Sequence, residues 1–208
     1  MKITWLGHSC FTVEHGGYTI LLDPFNPEML SGLPPVEVTV DRVLCSHGHD
    51  DHNYVQAAHI VESGAEPIQV TAIPCWHDDE QGMQRGPNTV HILEAGGLKV
   101  AHLGDLGHLP DEELTKALSG VDAMLIPVGG YYTINAEMAK QIVSLTEPRV
   151  VIPMHYKGKG FGFPVLGSVE QFTNRFCSST VRWYDTNMLE LTADTPHQIA
   201  VLQCPLAK

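Results

Sequence analysis

The alternation of apolar and polar residues at the start of the chain predicts a three-stranded β-meander. The alternation runs through residues 2–6, 10–15 and 18–22, and Gly16-Gly17 separates the last two runs. A glycine pair between alternating runs is typical of a β-hairpin turn, because glycine readily adopts positive φ angles.

Strand-like and helix-like patterns then alternate along the chain. A proline-containing surface loop is predicted over residues 26–40. Further strands are predicted over residues 41–45, 69–73, 89–94, 98–103, 123–128, 150–153, 180–184, 188–191 and 199–202. Helices are predicted over about residues 51–63, 110–118 and 135–145, and from Ser168 onwards. This mixture of meanders and strand–helix units indicates a layered α/β sandwich, formed by a single domain of residues 1–208.

Two of these segments receive more specific predictions. The helix over residues 51–63 depends on the helical spacing of its apolar residues and ends at Gly64. Those residues are Tyr54, Ala57, Ala58 and Val61. Residues 78–88 are polar and contain glycine, which predicts a mobile loop.

Candidate chemistry is concentrated directly after the apolar residues 43–45. Three histidines and two aspartates lie within the six residues His47-Gly48-His49-Asp50-Asp51-His52. In an extended loop His47 and His49 point to one side and can face one cation, whereas Asp51 and His52 can reach a second. Imidazole and carboxylate are ligands that Zn²⁺, Fe²⁺ and Mn²⁺ accept. The alternative is a solvated, histidine-rich turn without a ligand.

Further candidate ligands stand at the ends of other predicted strands. His77, Asp105 and His155 each follow such a strand. Side chains at the ends of neighbouring strands converge in space, so these three are expected to join the first group. The resulting set supplies the roughly six or seven protein ligands that two metal ions need. It consists of His47, His49, Asp51, His52, His77, Asp105 and His155.

These residues resemble the signature of the metallo-β-lactamase superfamily. That signature is HxHxDH followed by a single His, a single Asp and a final His, and it is matched in order by the seven residues above. The resemblance covers residues 2–191 and implies a four-layer αβ/βα sandwich. It further implies a metal-dependent hydrolase with two divalent ions. Zinc is the expected metal, with manganese, iron and nickel as alternatives.

The resemblance also implies a role for each ligand. His47, His49 and His77 would bind one ion; Asp51, His52 and His155 would bind the other, with Asp105 bridging. A hydroxide held between ions ~3.5–4 Å apart would attack a carbonyl carbon or a phosphorus. Asp51 is also a catalytic candidate, because it can orient this nucleophile.

Three segments resemble one branch of the superfamily more closely. Residues 5–11, 102–108 and 151–156 are similar to ascorbate-6-phosphate lactonases and N-acyl-phosphatidylethanolamine phospholipases. The chain is shorter than most members of either family, so neither substrate is transferred. His8 and His108 lie in these segments and are candidates for donating a proton to the leaving group or for supporting a ligand; a structural role is the alternative. His102 is expected to point away from the site.

Composition narrows the possible partners. The net charge is −12, with 24 acidic residues against 12 lysines and arginines, which argues against nucleic acids and anionic membranes as partners. A small-molecule substrate is therefore expected, and a homo-oligomer remains possible. Three cations near the candidate ligands are candidates for holding an anionic substrate, or are solvated loop charges. They are Arg85, Lys157 and Lys159.

The cysteines and the N-terminus predict a cytoplasmic protein. The five cysteines are scattered, odd in number and without a CxxC motif, which favours reduced thiols. The first residues lack the apolar core of a signal peptide, and no apolar run approaches the ~20 residues of a membrane span.

Two other function classes remain beside the hydrolase. A di-iron redox enzyme on the same fold usually has glutamate where this chain has His49, and carries a flavodoxin domain. A non-catalytic metal-binding protein is disfavoured because degenerate members of the superfamily usually lose ligands.

Overall fold

The computed structural model describes residues 1–61, 64 and 66–206 and contains two main β-sheets. The strands, in chain order, are β1 (Lys2–Gly7), β2 (Cys10–His15), β3 (Tyr18–Leu22), β4 (Val38–Val40), β5 (Arg42–Leu44), β6 (Ala58–Ile60), β7 (Gln69–Trp76), β8 (Pro87–Ala95), β9 (Leu98–His102), β10 (Ala123–Pro127), β11 (Val150–Met154), β12 (Val181–Trp183), β13 (Met188–Glu190) and β14 (Gln198–Val201). The helices are α1 (Glu112–Leu118), α2 (Ala136–Thr146) and α3 (Val169–Thr173), with 3₁₀ turns at Val55–Ala57 and Ser178–Thr180.

The predicted meander is confirmed and forms the centre of a five-stranded sheet. Its strand order is β13-β1-β2-β3-β5. Strands β1 to β3 are antiparallel, and Phe11 lies opposite Leu22 in the β2–β3 pair. Strand β5 runs parallel to β3, so that both strands end at the same edge of the sheet.

The second sheet has seven strands in the order β12-β14-β11-β10-β9-β8-β7. Strands β9, β10, β11, β14 and β12 are parallel, whereas β7, β8 and β9 form an antiparallel meander. Every residue of β10 and β11 is buried, as expected of parallel strands covered on both faces.

Both sheets contribute to one apolar core. Ile3 and Trp5 of β1 belong to the same buried cluster as Val100 of β9 and Leu125 of β10. The apolar stripe of α2, which includes Ile142, packs into this cluster as well. Asn135 caps the N-terminus of α2, because its side-chain oxygen accepts hydrogen bonds from the backbone N–H of Glu137 and Met138. No helix in the described part of the chain is long and apolar enough to cross a membrane.

The prediction of a helix over residues 51–63 is wrong: the part of this segment that the structure describes contains no α-helix. Val55–Ala57 form a 3₁₀ turn, and Ala58–Ile60 form β6, which pairs with β4 in a parallel ladder. Glu62 and Ser63 lie outside the described residues. The turn buries none of its residues, and Val55 and Ile60 are about half exposed, so a helical face would have nothing to pack against.

Extended chain therefore covers the outer face of the five-stranded sheet. The segment after β3 and strand β4 form a second apolar cluster with residues of β2 and β3. Its members are Cys10, Leu21, Phe25, Leu30, Leu33, Val36 and Val40. The sandwich predicted from the sequence is present, but between residues 24 and 61 its outer layer contains no α-helix.

A buried histidine in the seven-stranded sheet gives the fold a specific acid sensitivity. His91 on β8 lies opposite His102 on β9 and is 5% exposed. Burial, followed by the neighbouring His102, lowers the pKa of His91 to about 4. Because the unfolded chain binds this proton near the ordinary pKa of ~6.5, folding stability falls as the pH drops from about 6.5 to 4.

Replacing His91 with leucine is expected to remove this contribution. Between about pH 7.5 and pH 5 the variant should lose about 2 kcal/mol less unfolding free energy than the wild type. Urea denaturation of chelator-treated protein at both pH values measures the difference. His91 Nδ1 has no hydrogen-bond partner, so replacing the ring does not leave a former partner of this atom unpaired. An identical pH dependence in both proteins would contradict the prediction.

Candidate metal centre

Six strands deliver acidic or histidine side chains to one place, each just beyond its C-terminal end. The loop with His47, His49, Asp51 and His52 follows β5, and three further residues follow β7, β9 and β11. These three are His77, Asp105 and His155. Asp23 follows β3 and His8 follows β1 in the same way. The structure therefore brings all seven predicted ligands together, with two further residues beside them.

The potential ligand atoms fall into three overlapping groups. Within each group the atoms lie within 4.8 Å of one another. One group is His47, His49 and His77; the second is His47, His52 and Asp105; the third is His8, Asp51, His52 and His155. Shared members, His47 and His52, join the three groups into one continuous cluster.

Asp105 lies at the centre of this cluster. Its Oδ2 is 3.2 Å from His77 Nε2 and 3.3 Å from His155 Nε2, and its Oδ1 is 3.2 Å from His52 Nε2. Burial alone would raise the pKa of Asp105, but His155 and His52 hold it well below the usual range. One ionised carboxylate thus faces both halves of the cluster, as a bridging ligand requires.

Asp23 fixes the orientation of two histidines, and sequence reasoning missed it. Its Oδ2 accepts hydrogen bonds from His52 Nδ1 at 2.7 Å and from Ser46 Oγ at 2.6 Å, and its Oδ1 accepts from Ser46 N at 2.6 Å. Since the Ser46 hydroxyl donates to Asp23, its oxygen accepts the hydrogen of His47 Nδ1 at 2.9 Å. These hydrogen bonds place an N–H on Nδ1 of both imidazoles, so that Nε2 of each ring is the atom that faces the cluster.

The charges around Asp23 favour an ionised carboxylate beside a protonated His52. Burial would raise the pKa of Asp23, but His102 and His52 lower it to about 2, so the carboxylate is ionised. Burial lowers the pKa of His52, but Asp105 and Asp23 raise it well above its usual value, so the ring carries a proton on both nitrogens and would release the one on Nε2 when it binds a cation. The available signal in the sequence was position: Asp23 directly follows a predicted strand, as the other ligands do.

His8 supports Asp51 from behind the cluster. Its Nε2 lies 3.2 Å from Asp51 Oδ2, and its ring centroid is 4.2 Å from that of His155. The His8 carbonyl accepts from Trp5 Nε1 at 2.9 Å and from His155 N at 3.3 Å, which joins the ends of β1 and β11. Burial, followed by the nearby His155, lowers the pKa of His8 to about 4. The buried ring suits a positioning role.

His108 and His102 lie outside the cluster. His108 Nδ1 donates to Leu109 O at 2.8 Å and its Nε2 accepts from Trp76 N at 3.2 Å, so both nitrogens are engaged in one neutral tautomer. It borders a different groove, beside Trp76, so its position gives no support to the predicted role as proton donor. The prediction that His102 points away is confirmed: its Nε2 donates to Ser9 O at 2.9 Å and its Nδ1 accepts from Gly104 N.

The donor set fits divalent metal ions. Several buried polar atoms of the cluster have no hydrogen-bond partner, which is unusual in a folded interior. They include His52 Nε2, His77 Nδ1, Asp105 Oδ1, His155 Nδ1 and His155 Nε2. The donors are imidazole nitrogens and carboxylate oxygens, which suit Zn²⁺, Mn²⁺, Fe²⁺ or Ni²⁺. Burial and Asp23 raise the pKa of the nearby Cys45 to about 12, so this thiol stays protonated.

A cavity of about 530 Å³ opens above the cluster. His49, Asp51, His77 and Asp105 form its floor, and its walls come from surrounding loops. The wall residues are Met29, Gly48, Asp50, Arg85, Tyr132 and Phe163. A groove of about 610 Å³ beside β4 and β6 is larger but contains none of the predicted ligands.

The three candidate cations have different positions. Arg85 lines the cavity. Lys157 Nζ donates to Pro164 O at 2.6 Å, and Lys159 is exposed and does not line the cavity. Two neighbouring tyrosines also differ in position: Tyr132 lines the cavity, whereas Tyr131 is exposed.

Comparisons with known proteins agree on one family. The family model described as the Beta-lactamase superfamily domain matches residues 2–155. A UPF0173 metal-dependent hydrolase of Archaeoglobus fulgidus is 34% identical, over 75% of this chain and 83% of the relative. A second UPF0173 metal-dependent hydrolase, from Carboxydothermus hydrogenoformans, is 33% identical over 75% of this chain and 84% of the relative. The crystal structure of a metallo-beta-lactamase superfamily protein from Thermotoga maritima is 35% identical and covers 97% of each chain, with a TM-score of 0.74.

Proposed function

Because this chain belongs to the Beta-lactamase superfamily and is a metal-dependent hydrolase, we propose that its cluster holds two divalent ions. His47, His49 and His77 would bind one ion; Asp51, His52 and His155 would bind the other; Asp105 would bridge them. Zinc is the proposed metal. The observation that carries the proposal is that Asp105 contacts histidines of both groups through its two oxygens.

Bound ions of this kind supply Lewis acidity and a hydroxide nucleophile near neutral pH. The chain's own residues provide orientation. Asp23, directly and through Ser46, sets the tautomers of His52 and His47. His8 holds Asp51, which is placed on the cavity floor where it can orient an attacking nucleophile. This second role of Asp51 and the positioning role of His8 are parts of the proposal.

The proposed substrate is a small molecule with an ester, lactone or phosphodiester bond. The cavity volume of about 530 Å³ lies within the range that small-molecule sites occupy. The acidic net charge of −12 supports a function without nucleic acid or membrane partners. The five cysteines are all free, which supports a cytoplasmic location.

Metal analysis combined with a substrate screen tests this proposal. Purified protein is expected to contain about two equivalents of a divalent ion and to hydrolyse p-nitrophenyl phosphodiesters or lactones, with turnover lost after chelation and restored by metal. Iron with oxygen uptake would instead support the redox enzyme. Bound metal without turnover across the screen would support a binding protein.

A further inference from the structure

Arg85 is the one lysine or arginine among the described residues that line the cavity above the cluster. This position is notable because the chain carries only 12 such residues against 24 acidic ones. Met29, Tyr132 and Phe163 supply apolar and aromatic surface to the same cavity. The cavity therefore combines a floor of proposed metal ligands with a wall that carries one cation, the carboxylate of Asp50 and an apolar surface.

The backbone at Arg85 is fixed by a buried carboxylate. Asp78, which directly follows His77, is 2% exposed and accepts four backbone hydrogen bonds. Its Oδ1 accepts from Glu80 N at 2.9 Å and Gly82 N at 2.8 Å, and its Oδ2 accepts from Gln84 N at 3.1 Å and Arg85 N at 2.7 Å. The segment predicted as a mobile loop is thus a compact turn organised around Asp78.

The side chain of Arg85 is oriented by a second loop. Its Nη2 donates to the Tyr131 carbonyl at 3.2 Å, and its guanidinium carbon lies 5.9 Å from the centre of the Tyr132 ring. Tyr131 has a φ of 63°, and the left-handed backbone of Gly130 and Tyr131 belongs to the turn that carries this carbonyl. The guanidinium is therefore held between two loops at the cavity wall.

Most of the hydrogen-bonding capacity of Arg85 is unused. A guanidinium has five N–H donors, and one is engaged by Tyr131. Across the ion pairs of the described residues, Arg149 pairs with Asp122 and Arg175 pairs with Glu137, but no carboxylate pairs with Arg85. An oriented, unpaired guanidinium beside an apolar wall is suited to bidentate binding of a carboxylate or phosphate.

We propose that Arg85 binds an oxyanion group of the substrate and makes the enzyme selective for small amphipathic anions. The substrate class is an ester, lactone or phosphodiester that bears a carboxylate or phosphate, with its apolar part against Tyr132 and Phe163. This inference rests on the proposed hydrolase function. Arg85 touches the substrate's non-reacting end, so it determines specificity and does not take part in bond cleavage.

Paired substrates of nearly equal shape test this specificity in the metal-loaded enzyme. The p-nitrophenyl monoester of glutaric acid carries a free carboxylate, and p-nitrophenyl pentanoate lacks it. R85M is expected to lower kcat/KM for the anionic ester about 10- to 100-fold while changing the neutral ester less than about threefold. R85K should lie between the two because it keeps the charge but loses the planar fork. R175M is the matched control, since Arg175 pairs with Glu137 away from the cavity.

A binding measurement separates this inference from the hydrolase proposal. Benzoate and phenyl phosphate are titrated calorimetrically into the metal-loaded wild type, R85M and R175M, with benzyl alcohol as the neutral probe. The inference requires that R85M weaken both anions about 10-fold or more and leave benzyl alcohol unchanged; a larger loss for one anion identifies the preferred group. Equal anion binding by wild type and R85M would overturn it, even in an active enzyme. If R85M loses anion binding but the wild type shows no turnover, Arg85 remains an anion-binding residue and the proposed hydrolase function is refuted.

Discussion

Replacing Asp105 with asparagine is expected to abolish hydrolysis and to release at least one of the two proposed metal ions. The carboxylate contacts His52, His77 and His155 at 3.2 to 3.3 Å, so it is the group shared by both halves of the cluster. An amide keeps the shape but loses the negative charge and one acceptor. Losing several kcal/mol of Lewis-acid stabilisation corresponds to a decrease in kcat/KM of at least ~10³-fold.

The asparagine variant is chosen because it preserves the volume of a buried side chain. Metal content by elemental analysis and kcat/KM for the best substrate of the screen are measured on the same preparation. Asp79→Asn is the control: Asp79 is exposed on the turn that follows His77, and its variant should keep both ions and full activity. An Asp105→Asn protein with two ions and wild-type turnover would refute the bridging role.

The clustering of the proposed ligands could be predicted from the sequence because each residue obeys a simple positional rule. His77, Asp105 and His155 directly follow apolar runs, and strand ends that share a sheet edge bring such residues together. His47 to His52 are close in sequence and need little folding to be neighbours. Asp23 obeys the same rule, but a single aspartate before Pro24 also reads as an ordinary turn residue.

The features that the sequence did not predict depend on contacts between residues that are far apart in the sequence, or on one side chain that organises a whole segment. Residues 54–61 have helical spacing, yet β6 forms because its backbone pairs with β4, about twenty residues earlier. The spacing of apolar residues does not report this partner. The turn at residues 78–86 depends on one carboxylate that accepts four backbone N–H groups, whereas polar composition alone predicts a loose loop. The His8–Asp51 contact joins residues 43 positions apart.

Replacing Asp23 with asparagine is expected to weaken metal binding although Asp23 is not among the proposed ligands. If the amide oxygen faces Ser46 N, the amide nitrogen faces His52 Nδ1 and the Ser46 hydroxyl. His52 must then accept at Nδ1 and carry its proton on Nε2, the atom that points toward Asp105. If the amide is reversed, its nitrogen faces the N–H of Ser46 in a buried site. The first orientation disfavours the tautomer that binds metal, and the second keeps that tautomer but buries two N–H groups against each other.

The expected loss is about 10- to 100-fold in metal affinity, with about 1–3 kcal/mol of unfolding free energy lost as well. Competition with a chromophoric chelator measures the affinity, and urea denaturation of metal-free protein measures the stability.

Asp122→Asn is the matched control: Asp122 accepts from Lys99 N and pairs with Arg149, so its loss should affect stability alone. Activity of Asp23→Asn should recover in excess metal, because the ligands themselves are intact. Equal metal affinity in wild type and Asp23→Asn would show that the tautomers of His47 and His52 do not depend on this carboxylate.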